Sequence, residues 1–119
     1  MTFTQPKYQT QQEYQLIVLQ PQGYLDEQLG KSLNEQLSGL AQESQQLWVI
    51  DLAQVNFINS SGLVALVAAQ KAARSSGCRL VICNLQPPVQ IVFELAQLDS
   101  VFEIFDTYDA VLTTVNACS

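Results

Sequence analysis

A chain of 119 residues, 48% apolar and 13% charged, is long enough to build one domain with its own core, because folding at this size buries roughly two-thirds of the surface the unfolded chain exposes. Eleven acids against five bases leave a net charge of -6, which repels a phosphate backbone and an anionic membrane surface alike, so nucleic acid is not expected as a partner. The chain has no histidine, and that removes Ser-His-Asp and Cys-His catalysis, HExxH zinc sites and imidazole acid/base chemistry together.

The opening segment is Gln-rich, and Phe3, Tyr8, Tyr14, Leu16 and Val18 predict two short strands joined by a turn at Gln11 and Gln12. Nothing between Met1 and Gln20 has the basic start and apolar block of a leader, and no apolar run reaches the roughly 18 residues needed to cross a bilayer. A cytoplasmic protein with no direct membrane insertion is expected. After the break at Pro21 and Gly23, Asp26 is a good helix N-cap, with Leu29, Leu33, Leu37 and Leu40 recurring behind it. That spacing predicts an amphipathic helix from about Glu27 to Glu43, weakened slightly by Gly30 and Gly39.

Leu47-Trp48-Val49-Ile50 is continuous in its hydrophobicity, which predicts a central strand covered on both sides. Next comes Asp51 to Leu63, DLAQVNFINSSGL, an apolar strand that runs through Asn59-Ser60-Ser61-Gly62 into a helix. The helix is expected from Leu63 to about Ser75, with Lys71 and Arg74 in its C-terminal half and Gly77 as its stop. Its first turns are apolar nearly all round, so one face can pack on a sheet and the other needs cover. Arg79 to Asn84 reads as a further strand with Cys78 at its start. Cys78 and Cys83 then point to opposite faces and cannot bridge each other, consistent with free thiols in a reducing compartment.

Pro87-Pro88 opens a helix through about Leu98, where the missing amide donors do no harm. Val101 to Phe105 reads as a short strand, and Asp106 and Thr107 cap a last helix carrying Val111, Leu112 and Val115. Glu94 to Ser119 holds five acids and no base, while Lys71, Arg74 and Arg79 cluster in the middle of the chain. Alternation of strands and helices predicts an α/β fold over residues 1–119: one domain, a mixed and mostly parallel sheet of four to five strands, and about four helices.

A hydroxyl at a helix start is also the commonest cap, and Asn59 to Gly62 can be read that way alone. Asp26 can be only a cap, Gly62 can serve close helix-to-strand approach, and Asp51 can end its strand by bonding nearby amides. Taken together, however, Gly23-Tyr24-Leu25-Asp26, DLAQVNFINSSGL, the basic helix end at Lys71 and Arg74, and NLQPPVQIVFELAQLDSVFEIFDTYDAVL resemble the STAS domain of anti-sigma-factor antagonists over nearly the whole chain. The resemblance implies that Ser60, rather than Ser61, is phosphorylated by a partner anti-sigma factor serine kinase and dephosphorylated by a PP2C-type phosphatase. It places Asp26, Asn59, Ser61, Gly62 and Val64 on the partner-binding surface. One departure lies at Asn59, where that family usually carries aspartate. Asparagine keeps the capping role but removes a charge that a kinase could use.

Two functional readings follow, neither of them enzymatic and neither needing a cofactor or a metal. In the first, the unphosphorylated chain binds a kinase-type anti-sigma factor and phosphorylation of Ser60 releases it. In the second, the chain is a constitutive STAS adaptor subunit of a transporter or lipid-trafficking complex and is not phosphorylated. An enzyme with Ser60 or a cysteine as nucleophile lacks a base, a paired carboxylate and a Gly-rich phosphate loop. Homodimer formation is left open by the sequence.

Overall fold

The computed structural model describes residues 2–5, 15–40 and 46–117. In chain order these form β1 (Thr2–Gln5), β2 (Gln15–Leu19), β3 (Gly23–Leu25), α1 (Glu27–Leu40), β4 (Gln46–Asp51), β5 (Val55–Ile58), α2 (Ser60–Ser75), β6 (Arg79–Cys83), α3 (Pro87–Leu95), β7 (Glu103–Phe105) and α4 (Tyr108–Ala117). The main sheet has the order β1-β2-β4-β6-β7; β1 runs antiparallel to β2 and every other neighbour pair is parallel. β3 and β5 stand apart as a parallel two-stranded ribbon, which the sequence reading did not anticipate.

Alternation along the parallel strands builds two cores, because successive side chains in a strand point to opposite faces. Ile17 and Leu19, Trp48 and Ile50, and Leu80 and Ile82 face a layer made by Leu33 and Leu37 of α1, Leu66, Ala69 and Ala73 of α2, and Val89 and Phe93 of α3. Leu16, Val18, Leu47, Val49, Val81 and Cys83 face the other way, onto Val111 and Val115 of α4. With all six of its residues buried, β4 is the central, doubly covered strand that its unbroken apolar run predicted. Trp48 keeps its ring nitrogen satisfied there by donating to Gln46 Oε1 at 2.8 Å.

Several boundaries differ from those expected. α3 stops at Leu95 rather than near Leu98, because Gln97 takes a left-handed conformation, φ 59°, and the amides of Gln97 and Leu98 turn back to the carbonyls of Glu94 and Phe93. Cys78 precedes β6 instead of lying in it. It follows Gly77, φ 72°, and its amide closes the end of α2 on Ala73 at 2.8 Å. Cys78 and Cys83 nonetheless belong to opposite cores. β7 is three residues long rather than five, and Thr107 rather than Asp106 caps α4, its Oγ1 accepting from the Ala110 amide at 3.0 Å. The expected turn at Gln11 and Gln12, and the end of the first helix at Glu43, lie outside the described residues.

Candidate functional site

At the junction of β5 and α2, Asn59 has extended backbone (φ -106°, ψ -177°), and its side-chain oxygen accepts the Gly62 amide at 2.9 Å. Its carbonyl accepts the first helical bond, from Leu63 at 3.0 Å. Asn59 is therefore the N-cap, and the helix starts at Ser60, three residues earlier than the apolar pattern indicated. Ser60 and Ser61 are both exposed. Among the described residues neither hydroxyl has a hydrogen-bond partner. The capping duty weighed for Ser60 belongs to its neighbour.

Asp26 reaches the same place from the other side. Its Oδ1 accepts the Leu29 amide at 3.0 Å and caps α1. The preceding carbonyl, Leu25 O, accepts the Asn59 amide at 3.3 Å. Gly62 is buried directly against that carbonyl: a Cβ there would overlap Leu25 O and approach Ile58 Cγ1 to 2.8 Å. Close approach is thus a requirement of this joint. A second glycine fixes the helix pair, since a Cβ on Gly30 would lie 2.5 Å from Ala65 Cβ. Asn34 Nδ2 locks the crossing by donating to both Gly30 O and Ala65 O, at 3.1 and 3.0 Å. Asp26, Asn59, Ser60, Ser61 and Gly62 are brought together by this packing, and Val64 lies one turn along α2, 68% exposed.

Two aromatic residues beside the site escaped the sequence reading. Tyr24 and Phe57 are register partners on the ribbon, 49% and 42% exposed, with ring centroids 5.3 Å apart in an edge-to-face arrangement. Between Gly23 and Tyr24 the pairing slips, leaving Asn56 as an extra residue. That bulge turns both Asn56 and Phe57 outward. The only sequence signal was a phenylalanine in a strand whose alternation fails; its non-local partner could not be read. Lys71 and Arg74 are exposed toward the far end of α2. Arg79 forms a bidentate pair with Glu103 across β6 and β7, at 2.8 and 2.6 Å.

Asp51 occupies a different environment at the end of β4. It is buried, and its carboxylate accepts from Gln20 Nε2, the Ala53 amide and Asn84 Nδ2, each at 3.0 Å. Burial, with the Asp51 charge alongside, pushes the Cys83 thiol up to about 12, so this cysteine is a neutral core residue rather than a nucleophile. No group of three or more potential metal ligands is present among the described residues, and no described helix is long and apolar enough to cross a membrane.

A family model described as the STAS domain matches residues 7–111. The chain belongs to the STAS domain family. This STAS chain is 28% identical over 89 residues to BtrV of Bordetella bronchiseptica, named as an anti-sigma factor antagonist, covering 75% of this chain and 77% of BtrV. Its fold superposes on the anti-sigma factor antagonist SpoIIAA in its unphosphorylated form with a TM-score of 0.74, at 16% identity and covering 98% and 97% of the two chains. SpoIIAA from Bacillus is also known in a phosphorylated form, TM-score 0.66 at 16% identity with 97% and 99% covered. A sulfate transporter family protein from Wolinella succinogenes shares the fold as well, TM-score 0.77 at 15% identity with 87% and 86% covered. At these identities the solved structures speak for the fold, which the STAS chain shares with antagonists and with a sulfate transporter family protein.

Proposed function

We propose that this STAS chain is a non-catalytic, anti-sigma-factor-antagonist switch. In the unphosphorylated state it binds a kinase-type anti-sigma factor; phosphorylation of Ser60 by that kinase releases it, and a PP2C-type phosphatase restores it. The observation that carries this reading is the division of work at the start of α2: Asn59 caps the helix, while the Ser60 hydroxyl is exposed and unbonded. A phosphate on Ser60 adds roughly -1.5 to -2 charges at neutral pH, close to the free amides of the first helical turn, so the fold tolerates it. The docking surface does not. Tyr24, Phe57 and Val64 offer exposed apolar area around Ser60, and a new charge in the middle of a desolvated contact removes binding. The names of BtrV and SpoIIAA, and the existence of SpoIIAA in both states, support the same assignment.

The test pairs intact-mass analysis after incubation with ATP and the GHKL-type kinase encoded nearest the gene with pull-down by that kinase. A single phosphate that disappears in Ser60→Ala, together with kinase capture by wild type and Ser60→Ala but not Ser60→Asp, is expected. Phosphate retained in Ser60→Ala and lost in Ser61→Ala would move the switch to Ser61. Asn59 supports one other reading, a constitutive adaptor, because it withholds the carboxylate that a kinase could use. Equal partner binding by all three Ser60 forms, with a membrane permease or ATPase recovered on the bait, would establish that reading instead.

A further inference from the structure

Away from Ser60, α3 presents an outer face that nothing among the described residues covers. Ile91 and Leu95 form one i,i+4 row on it, 54% and 81% exposed, while Val89 and Phe93 occupy the buried side. Beside that row Gln90 Nε2 donates to Glu94 Oε2 at 3.3 Å, and the two border a groove. Leu85, Phe93, Ile104 and Phe105 contribute its apolar lining, and Glu94, Asp99 and Asp106 its carboxylates. All three acids are exposed. Among the described residues none of them has a basic partner, since the ion pair there joins Arg79 to Glu103. The groove opens where the chain diverges: β6 leads to α3 on one face of the sheet and β7 leads to α4 on the other. Such a divergence leaves a crevice beyond the carboxyl ends of the strands.

We propose that this face is a second docking surface, taking a basic amphipathic segment of a protein partner. Apolar residues of the segment pack on Ile91 and Leu95, and an arginine or lysine enters the groove. Its aliphatic stem lies on Ile104 and Phe105 and its charged head meets Glu94, Asp99 and Asp106. Charge decides the occupant. A second copy of this chain carries -6 overall and would set the same three carboxylates against their like. The surface shares no named residue with the Ser60 site and does not depend on the switch at that serine.

The isotopically labelled full chain is titrated with a synthetic peptide of alternating leucine and arginine, with a leucine-glutamate peptide as the control. Amide shifts confined to Leu85, residues 90–95, Asp99 and residues 104–106 are expected with the basic peptide, and none with the acidic one. The double variant Glu94→Lys, Asp99→Lys weakens binding about tenfold or more, Leu95→Ser weakens it several-fold, and Ser60→Asp leaves it unchanged. These substitutions are at exposed positions, and an unchanged circular dichroism spectrum confirms the fold. Shifts scattered over the surface or centred on Tyr24 and Phe57, or equal binding by the charge-reversed variant, would overturn the proposal. So would sedimentation showing a dimer that Leu95→Ser disrupts, which would make the face a self-association surface.

Discussion

Asp51 and Ser60 bracket the same stretch of chain, and both are polar residues following an apolar strand, yet the structure treats them oppositely. Asp51 is buried and accepts three hydrogen bonds, from Gln20, Ala53 and Asn84. Ser60 is exposed, and the capping bond at this helix start is made by Asn59. A buried polar group is held by its partners and costs free energy when they are removed. A polar group whose structural work is done next door is available for chemistry. The contrast separates residues that hold the joint from exposed serines, Ser60 and Ser61, whose hydroxyls make no bond that holds it.

Asp51→Ala tests the structural side most severely. Three part-buried donors lose the buried acceptor they share, and a loss of about 2 kcal/mol in unfolding free energy is expected by urea denaturation. A loss below about 0.5 kcal/mol would mean that water replaces the carboxylate. Gly62→Ala comes next, at about 2 kcal/mol, because the new methyl meets the backbone of Leu25 and α2 must move. Since α2 carries Ser60, partner capture should fall with it. Asn59→Ala removes the cap and should cost about 1 kcal/mol, with Asn59→Asp retaining it. Ser60→Ala should change stability by less than about 0.5 kcal/mol while abolishing the phosphate. If Ser60→Ala proves as costly as Asn59→Ala, the two residues share the capping role and the contrast collapses.

Cys83, beside Asp51, sharpens the comparison through pH. Its thiol ionises near 9 when unfolded and is pushed up to about 12 in the fold. The unfolded chain therefore gives up this proton first on raising the pH. The contribution of Cys83 to stability is complete below about 9 and is lost as pH rises through that window toward 12. At pH 8 the native thiol should resist iodoacetamide and react once guanidinium unfolds the chain, with the modified peptide read by mass spectrometry. Labelling of Cys83 in native buffer would show that the end of β6 opens locally.

Much of this architecture was legible in the residues. The unbroken Leu47 to Ile50 run marked the central strand, Asp26 and the leucine repeat marked α1, and Pro87-Pro88 marked the start of α3. The spaced motifs carried the resemblance to the STAS domain, whose family model matches residues 7–111. These features are local: periodicity, caps and ring constraints act within a few residues of each other. The rest required the folded chain. The β3–β5 ribbon and its bulge, which expose Tyr24 and Phe57, depend on pairing between segments distant in sequence. Gly62 and Gly30 gained their meaning from what lies opposite them, Leu25 O and Ala65. The groove beneath Glu94, Asp99 and Asp106 exists because α3 and α4 leave the sheet on opposite sides. Most directly, the sequence placed an asparagine and two serines at one helix start, and the extended backbone at Asn59 made its side chain the cap, with both serine hydroxyls left exposed.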